Sequence, residues 1–489
     1  MAAFAPLRLA NPLRWTDLYS EAELYRAAVR VYTKPLFQWR KALSTSTDGK
    51  TLYDFAAHGL RGLYSLHHSL EREEFRFRPA VALNHNFNGK QRTLYVSPWE
   101  ERIVDLMLYR ALNRKLHNWF SPNCYAYRDS NFSLDRCQSQ IAAVVRLAPG
   151  VMYLIKRDIS DYFASVNHKI LLEQLAELID PADYLFQLLT QRIRFCYQQE
   201  GQLQRAEVGI PFGAAIACLF ANVYLTGMDR LIEKIPRISY FRYADDILLL
   251  APSRELALSA KETLETSLAE LNLGMKASHS MDLALSAPPR PQSQPDDPTF
   301  AAAAEFRHLG LLFRADGTAA LSRDKLRKIQ NLFRFAFRRG RRRWKKITDS
   351  QQKAAALVAL AAEAIDKGLR NVAILDYYLK HVSDHEQLRL LDRWLAEEVL
   401  ASVFGGHKKG HFRRISFARL RQMGLPSLVH RQRLIRRGEI ENPFFIWQKE
   451  RSTQAFRGTV ARLERPAHGL LSGPKSSGRR TSVREDGRL

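Results

Sequence analysis

Three carboxylates, Asp158, Asp245 and Asp246, stand out as residues whose type and spacing could do chemistry. The adjacent pair falls between two strand-like runs, Arg237 to Tyr243 (RISYFRY) and Ile247 to Ala251 (ILLLA), which predicts a hairpin with the acids at its tip. Asp158 follows a third strand-like run, Val151 to Lys156 (VMYLIK). Acids at the ends of apolar strands point out of a core into a cleft. A pair joined by a third on a neighbouring strand can hold two divalent cations. Two ions about 3.5–4 Å apart activate an attacking hydroxyl and stabilise a leaving pyrophosphate, as nucleotidyl transfer requires. The plainer reading of each acid is a strand-end carboxylate that caps a turn.

Other elements must position these groups. Residues 15–75 read as helical, with apolar periodicity through Leu18, Leu24, Tyr25, Leu60, Leu63 and Leu66. Arg76 to Val96 reads as extended, broken by the turn Asn86-Phe-Asn-Gly89. A helix is predicted from Pro98 to Trp119, opening with Glu100 and Glu101 where the helix dipole favours acids. The strands of Asp158 and Asp245 bracket helical stretches over 168–196 and 214–232, and Ser253 to Leu271 forms a further helix. The Pro/Gln/Asp-rich stretch 287–299 reads as an exposed loop. From Leu321 to Thr348 the chain is an intensely basic helical run, and 350–404 is amphipathic helix throughout. A Gly/Lys-rich turn at 405–411 precedes more basic helices, and the tail after about Pro466 has the composition of a disordered segment.

The 489 residues exceed one ordinary domain. A formal charge of +25 is best explained by a polyanionic partner, of which nucleic acid is the commonest. The four cysteines include no C-x-x-C pair, which argues against a zinc ribbon, an HNH-type zinc module or a disulfide framework. No run approaches the ~18 apolar residues of a membrane span. The expectation is a soluble, cytoplasmic protein without a membrane partner.

The order of motifs resembles a reverse transcriptase of the bacterial group II intron and retron lineage, over about 75–315. Asn88-Gly-Lys-Gln-Arg92 with Leu94-Tyr-Val resembles the fingers hairpin. Glu101-Arg-Ile-Val104 and Phe120-Ser-Pro-Asn-Cys-Tyr-Ala-Tyr-Arg128 resemble the stretches leading into the palm. Arg157-Asp-Ile-Ser-Asp-Tyr-Phe163 is similar to motif A, and Gly209-Ile-Pro-Phe-Gly213 with Leu219-Phe-Ala-Asn-Val-Tyr-Leu225 to motif B. Tyr243-Ala-Asp-Asp246 matches motif C, and His308-Leu-Gly-Leu311 looks like the primer-grip hairpin. A Y-A-D-D tetrapeptide alone is weak evidence; the same tetrapeptide in order with Asp158 and the glycine loop is specific.

The resemblance implies an α+β right-hand polymerase with a fingers and palm region over 76–320 after an N-terminal helical extension at 1–75. A basic helical thumb at 321–349, a C-terminal helical domain at 350–465 and a disordered basic tail at 466–489 would follow. It implies two Mg2+ ions with Asp158 and Asp245 as direct ligands and Asp246 contributing. Lys90 and Arg92 would grip the triphosphate, Arg as a fork and Lys as a point charge, although both would also suit a solvated basic turn. Asp161 lies where the family's backbone approaches the triphosphate, and its side chain can equally be a surface acid. Phe163, five residues beyond Asp158, falls at the steric gate that excludes a ribose 2′-hydroxyl, and a core aromatic is the competing role. Tyr243 would pack beside the primer end. Arg338, Arg339, Arg341, Arg342, Arg343, Lys345 and Lys346 would track a duplex backbone without reading its sequence. His279, His308 and His411 lack metal-ligand spacing and receive no role.

Two departures matter. The glutamine usual in motif B is Phe212 here, a ring that can only stack or pack beside the incoming nucleotide. In motif D, Leu271-Asn-Leu-Gly-Met-Lys276 leaves two registers open, with either His279 or Lys276 at the lysine position. Together with a helical C-terminal half, these departures resemble the divergent, defence-associated bacterial reverse transcriptases, including abortive-infection enzymes. The implied activity is RNA-directed DNA synthesis from dNTPs, on a non-coding RNA or with unconventional templating, in antiphage defence. A homo-oligomer or a partner defence protein is compatible with it. The alternatives are an intron- or retron-type enzyme, and an RNA-binding maturase or scaffold whose polymerase site is vestigial.

Overall fold

Alternating apolar residues in a few short runs build the sheet that carries the carboxylates. The computed structural model describes residues 8–33, 44–87, 90–128, 132–148, 150–286, 299–366 and 378–440. The tail and nearly all of the Pro/Gln/Asp-rich stretch lie outside the described residues, as does the turn at 88–89. Among the described residues twelve strands follow in chain order: β1 (Ala80–Phe87), β2 (Lys90–Val96), β3 (Met152–Asp158), β4 (Cys196–Gln199), β5 (Gln202–Arg205), β6 (Ser239–Tyr243), β7 (Asp246–Ala251), β8 (Met281–Leu285), β9 (Ala301–Ala303), β10 (Glu305–His308), β11 (Leu311–Arg314) and β12 (Ala319–Leu321).

They form three sheets. A five-stranded sheet runs β6-β7-β3-β8-β9, a four-stranded sheet β2-β1-β4-β5, and a three-stranded sheet β10-β11-β12. Pairing is antiparallel except between β1 and β4 and between β8 and β9. The fold is mixed α+β with antiparallel-rich sheets.

The five-stranded sheet is buried on both faces, and the period-2 alternation of its strands sorts the side chains. Ile155, Ile247 and Leu249 enter one core with the helices Trp99–Lys115, Tyr184–Ile193, Ala217–Glu233 and Arg254–Glu270. Met152, Leu154, Leu248 and Leu250 enter a second core with helix Leu134–Leu147, the three-stranded sheet and the helices Arg323–Arg339, Ser350–Asp366 and His385–Phe404. Lys156, Asp158 and Asp246 continue the second set, so they lie on the sheet face turned towards β10–β12. Helix Ala217–Glu233 is buried on nearly every side, which matches its all-round apolar sequence. Full burial of each Leu or Ile there contributes about 1.5–3 kcal/mol.

Several sequence expectations need correction. The stretch 168–196 is two helices, His168–Ala176 and Tyr184–Ile193, followed by a strand. Pro181 disfavours helix at Asp180, and the Asp183 side chain restarts it by accepting from Leu185 N at 2.8 Å. Strands β4 and β5 (CYQQ and QLQR) lack apolar alternation and exist because β4 extends the edge of β1. The basic run is not one helix from Leu321. Leu321 closes β12, the helix begins at Arg323, and Gly340 ends it before the short turn Arg341–Trp344. A Cβ at Gly340 would stand 2.4 Å from Leu360 Cδ1, so glycine permits the close crossing with helix Ser350–Asp366. No helix of the described residues is long and apolar enough to cross a membrane.

Candidate active site

Strands β6 and β7 pair so that Tyr243 faces Asp246, which leaves Ala244 and Asp245 as the turn. Ala244 adopts φ +58, a left-handed conformation uncommon for alanine. A buried cation holds it there. Arg242 Nη1 donates to Ala244 O at 3.3 Å, while Nε donates to Asp229 Oδ1 at 2.7 Å. Arg242 and Asp229 are both fully buried, and the pair joins the hairpin to helix Ala217–Glu233.

Register brings in the third acid. Asp158 lies directly opposite Asp246 across β3 and β7, and Ile159 N donates to Asp245 O at 3.3 Å. The three acids named from sequence are thus backbone neighbours. Their oxygens do not all lie within 4.8 Å of one another; three groups that do are His67, His68 and Glu71, on helix Leu52–Glu71.

Cations face two of the acids. Lys276 Nζ donates to Asp158 Oδ2 and to Ile159 O, each at 3.1 Å. Lys276 therefore reaches the site, whereas the His279 ring contacts Ser278. Lys156 Nζ stands 3.7 Å from Asp246 Oδ1, and His308 Nδ1 stands 3.4 Å from the same oxygen. Burial raises the pKa of Asp245, and the charge of Asp158 adds to it, against the pull of its own backbone amide, Lys276 and Arg92. Burial pushes Asp246 up to about 6, with Lys156 opposing and Asp158 and Asp245 reinforcing. Burial and the Lys156 charge drive the His308 imidazole well below its usual value. Asp245 and Asp246, whose ionisation is disfavoured, form with Asp158 a hard, all-oxygen donor set that a divalent cation would relieve. They fit Mg2+.

An aromatic cluster surrounds Phe163. The Phe163 ring lies 5.5 Å from Phe212 and 6.2 Å from Tyr127, edge-to-face in both cases. Motif-B backbone rests on motif-A backbone. Ile210 N donates to Phe163 O at 2.7 Å, and Gly209 (φ +86) leaves no room for a Cβ beside Ala164. The hairpin β1–β2 docks from the other side through Tyr95 N to Phe212 O at 2.9 Å. Arg92 is exposed on β2, with its guanidinium 5.4 Å over the Phe212 ring. Lys90 opens β2. Asp161 is exposed at φ +40 and begins the short helix Tyr162–Ser165 without a side-chain cap. Half-buried Tyr243 packs against the second core.

The basic cluster lies on and just after two later helices. Arg338, Arg339, Arg341, Arg342, Arg343, Lys345 and Lys346 are all exposed around the end of helix Arg323–Arg339. Arg343 is tied to Glu363 at 3.0 Å. Lys156, His308, Tyr127 and Arg242 were given no site role from sequence. Lys156 carried a signal, since it precedes Asp158 by two residues on one strand and must share its face. For His308 no local signal exists.

Parts of the chain are similar to known proteins. Residues 89–310 match the family described as "Reverse transcriptase (RNA-dependent DNA polymerase)". The chain is 26% identical over 158 residues to the Retron Ec83 reverse transcriptase of Escherichia coli, covering 32% of this chain and 47% of that protein. It is also 26% identical over 168 residues to an uncharacterized 91 kDa protein in the cob intron of Schizosaccharomyces pombe, covering 34% of this chain and 20% of that protein. The chain thus spans less than half the length of these two relatives. Apo telomerase from Candida tropicalis is similar at a TM-score of 0.43 and 10% identity, over 81% of this chain and 68% of that one.

Proposed function

We propose that the chain is an RNA-directed DNA polymerase that extends a primer 3′-hydroxyl with deoxynucleotides on an associated RNA, in antiphage defence. The observation that carries this reading is the opposition of Asp158 and Asp246 across β3 and β7, with Asp245 in the adjoining turn and the Phe163 ring beside motif B. Asp158, Asp245 and Asp246 would hold two Mg2+ ions, which supply, when bound, most of the electrostatic stabilisation of an in-line phosphoryl displacement. The chain's own residues do the rest. Arg92 and Lys90 hold the triphosphate, Phe163 excludes the ribose 2′-hydroxyl, and Arg242 fixes the turn that aims Asp245.

In this reading residues 76–320 act as fingers and palm. The exposed arginines and lysines after Gly340 act as a thumb surface that follows the nucleic-acid backbone through counterion release. The defence role rests on the sequence resemblance, namely Phe212 in motif B and the helical C-terminal half. Purified protein with its co-purified RNA, Mg2+ and labelled dNTPs should make labelled DNA, and Asp245→Ala should abolish the product. Failure of the wild-type protein to incorporate any dNTP with co-purified RNA or with added primer–templates overturns the reading.

A further inference from the structure

We infer that His308 is a positioning residue for Asp246, coupling the β10–β11 hairpin to the carboxylate site. The inference rests on the reading of Asp158, Asp245 and Asp246 as metal ligands. His308 ends β10, and its side chain is completely buried. Neither ring nitrogen has a hydrogen-bond partner. Burying an imidazole in this state is unfavourable relative to a satisfied group, so a site that needed only volume would be better filled by Phe or Leu.

One acceptor faces the ring. Asp246 Oδ1, itself buried and without a hydrogen bond, lies 3.4 Å from His308 Nδ1. A small rotation of either side chain turns this contact into an Nδ1–H to Oδ1 hydrogen bond that satisfies both groups. Lys156 reinforces the arrangement. Its Nζ is 3.7 Å from the same Oδ1 and donates to Arg307 O at 3.2 Å, which pins the neighbouring residue of β10 against β3. Oδ1 is thereby engaged on the β10 side. Groups that orient a ligating carboxylate from behind tune metal affinity without touching the metal. A shift of the β10–β11 hairpin would be felt at Asp246 through His308.

The test uses the full chain and Mn2+, with affinity read by electron paramagnetic resonance and metal-free thermal stability read in parallel. His308→Phe keeps the volume and removes the donor, whereas His308→Asn retains a donor at the place of Nδ1. We expect His308→Phe to weaken Mn2+ binding by about tenfold or more, with His308→Asn staying close to wild type. In an Asp246→Asn background, His308→Phe should weaken binding no further. Unchanged Mn2+ affinity in His308→Phe overturns the inference, as does an equal loss in His308→Asn accompanied by an equal drop in melting temperature. If the wild-type chain binds no Mn2+, or Asp158→Asn leaves its binding unchanged, the metal-site reading itself fails and this inference with it.

Discussion

The Arg92 guanidinium rests on the Phe212 ring, 5.4 Å from its centroid. Phe212 thus offers a face that an amide lacks, as a platform under the Arg92 guanidinium of the β1–β2 hairpin. Cation–π contacts at partly exposed sites are worth about 0.5–1 kcal/mol. Phe212→Ala should therefore raise the KM for dNTP by about two- to fivefold, a range that follows from that energy. Arg92→Ala should raise it at least as far. Steady-state kinetics on a fixed primer–template separates this from a loss in kcat, and an unchanged KM in Phe212→Ala counts against the platform.

Phe163 meets Phe212 and Tyr127 edge-to-face, which fixes its ring beside motif B. Phe163→Val should open the space that a ribose 2′-hydroxyl needs. Discrimination between dNTP and rNTP, as the ratio of kcat/KM values, is expected to fall by about tenfold to a hundredfold, the scale of one steric contact. Selectivity equal to wild type would assign Phe163 to packing alone.

Arg242 and Asp229 are a fully buried pair beneath the Ala244 turn. Arg242→Met leaves the Asp229 carboxylate buried without its cation, a change that costs about 3–5 kcal/mol. Urea denaturation should show this loss, and the double variant Arg242→Met/Asp229→Leu should recover much of it. Polymerase activity should not return with stability, because the donor to Ala244 O is still missing.

Asp135, in the first turn of helix Leu134–Leu147, accepts from Lys380 Nζ at 2.8 Å and lies 2.7 Å from His381 Nε2. Burial works to raise its carboxyl, but His381 and Lys380 outweigh burial and hold it down at about 2. A depressed carboxyl stabilises the fold above its ordinary value of 3.8, and that stability is lost as pH falls through about 2. Asp135→Asn should therefore melt below wild type at pH 7, and the gap should close between about pH 4 and pH 2. Melting temperatures across that range check the sign.

Much of the site was legible because its signals are local. Strand-like runs beside Asp158 and Asp246 show in the residues themselves, as does the helix that follows Ser253. Strands β4 and β5 were illegible, since polar residues become strands there only by pairing with β1. The break at Gly340 was hidden for a similar reason. It depends on Leu360, which lies on a separate helix.

By itself the sequence determined which acids end apolar strands and which basic and aromatic residues accompany them, because alternation and turn chemistry act between near neighbours in the chain. Tertiary structure alone decided that Lys276 rather than His279 reaches Asp158, that Arg92 lies on Phe212, and that His308 faces Asp246. Those contacts are set by the register of β3 against β7 and by the docking of β10 and the β1–β2 hairpin. Such pairings depend on residues far apart in the chain, and no short window of sequence encodes them.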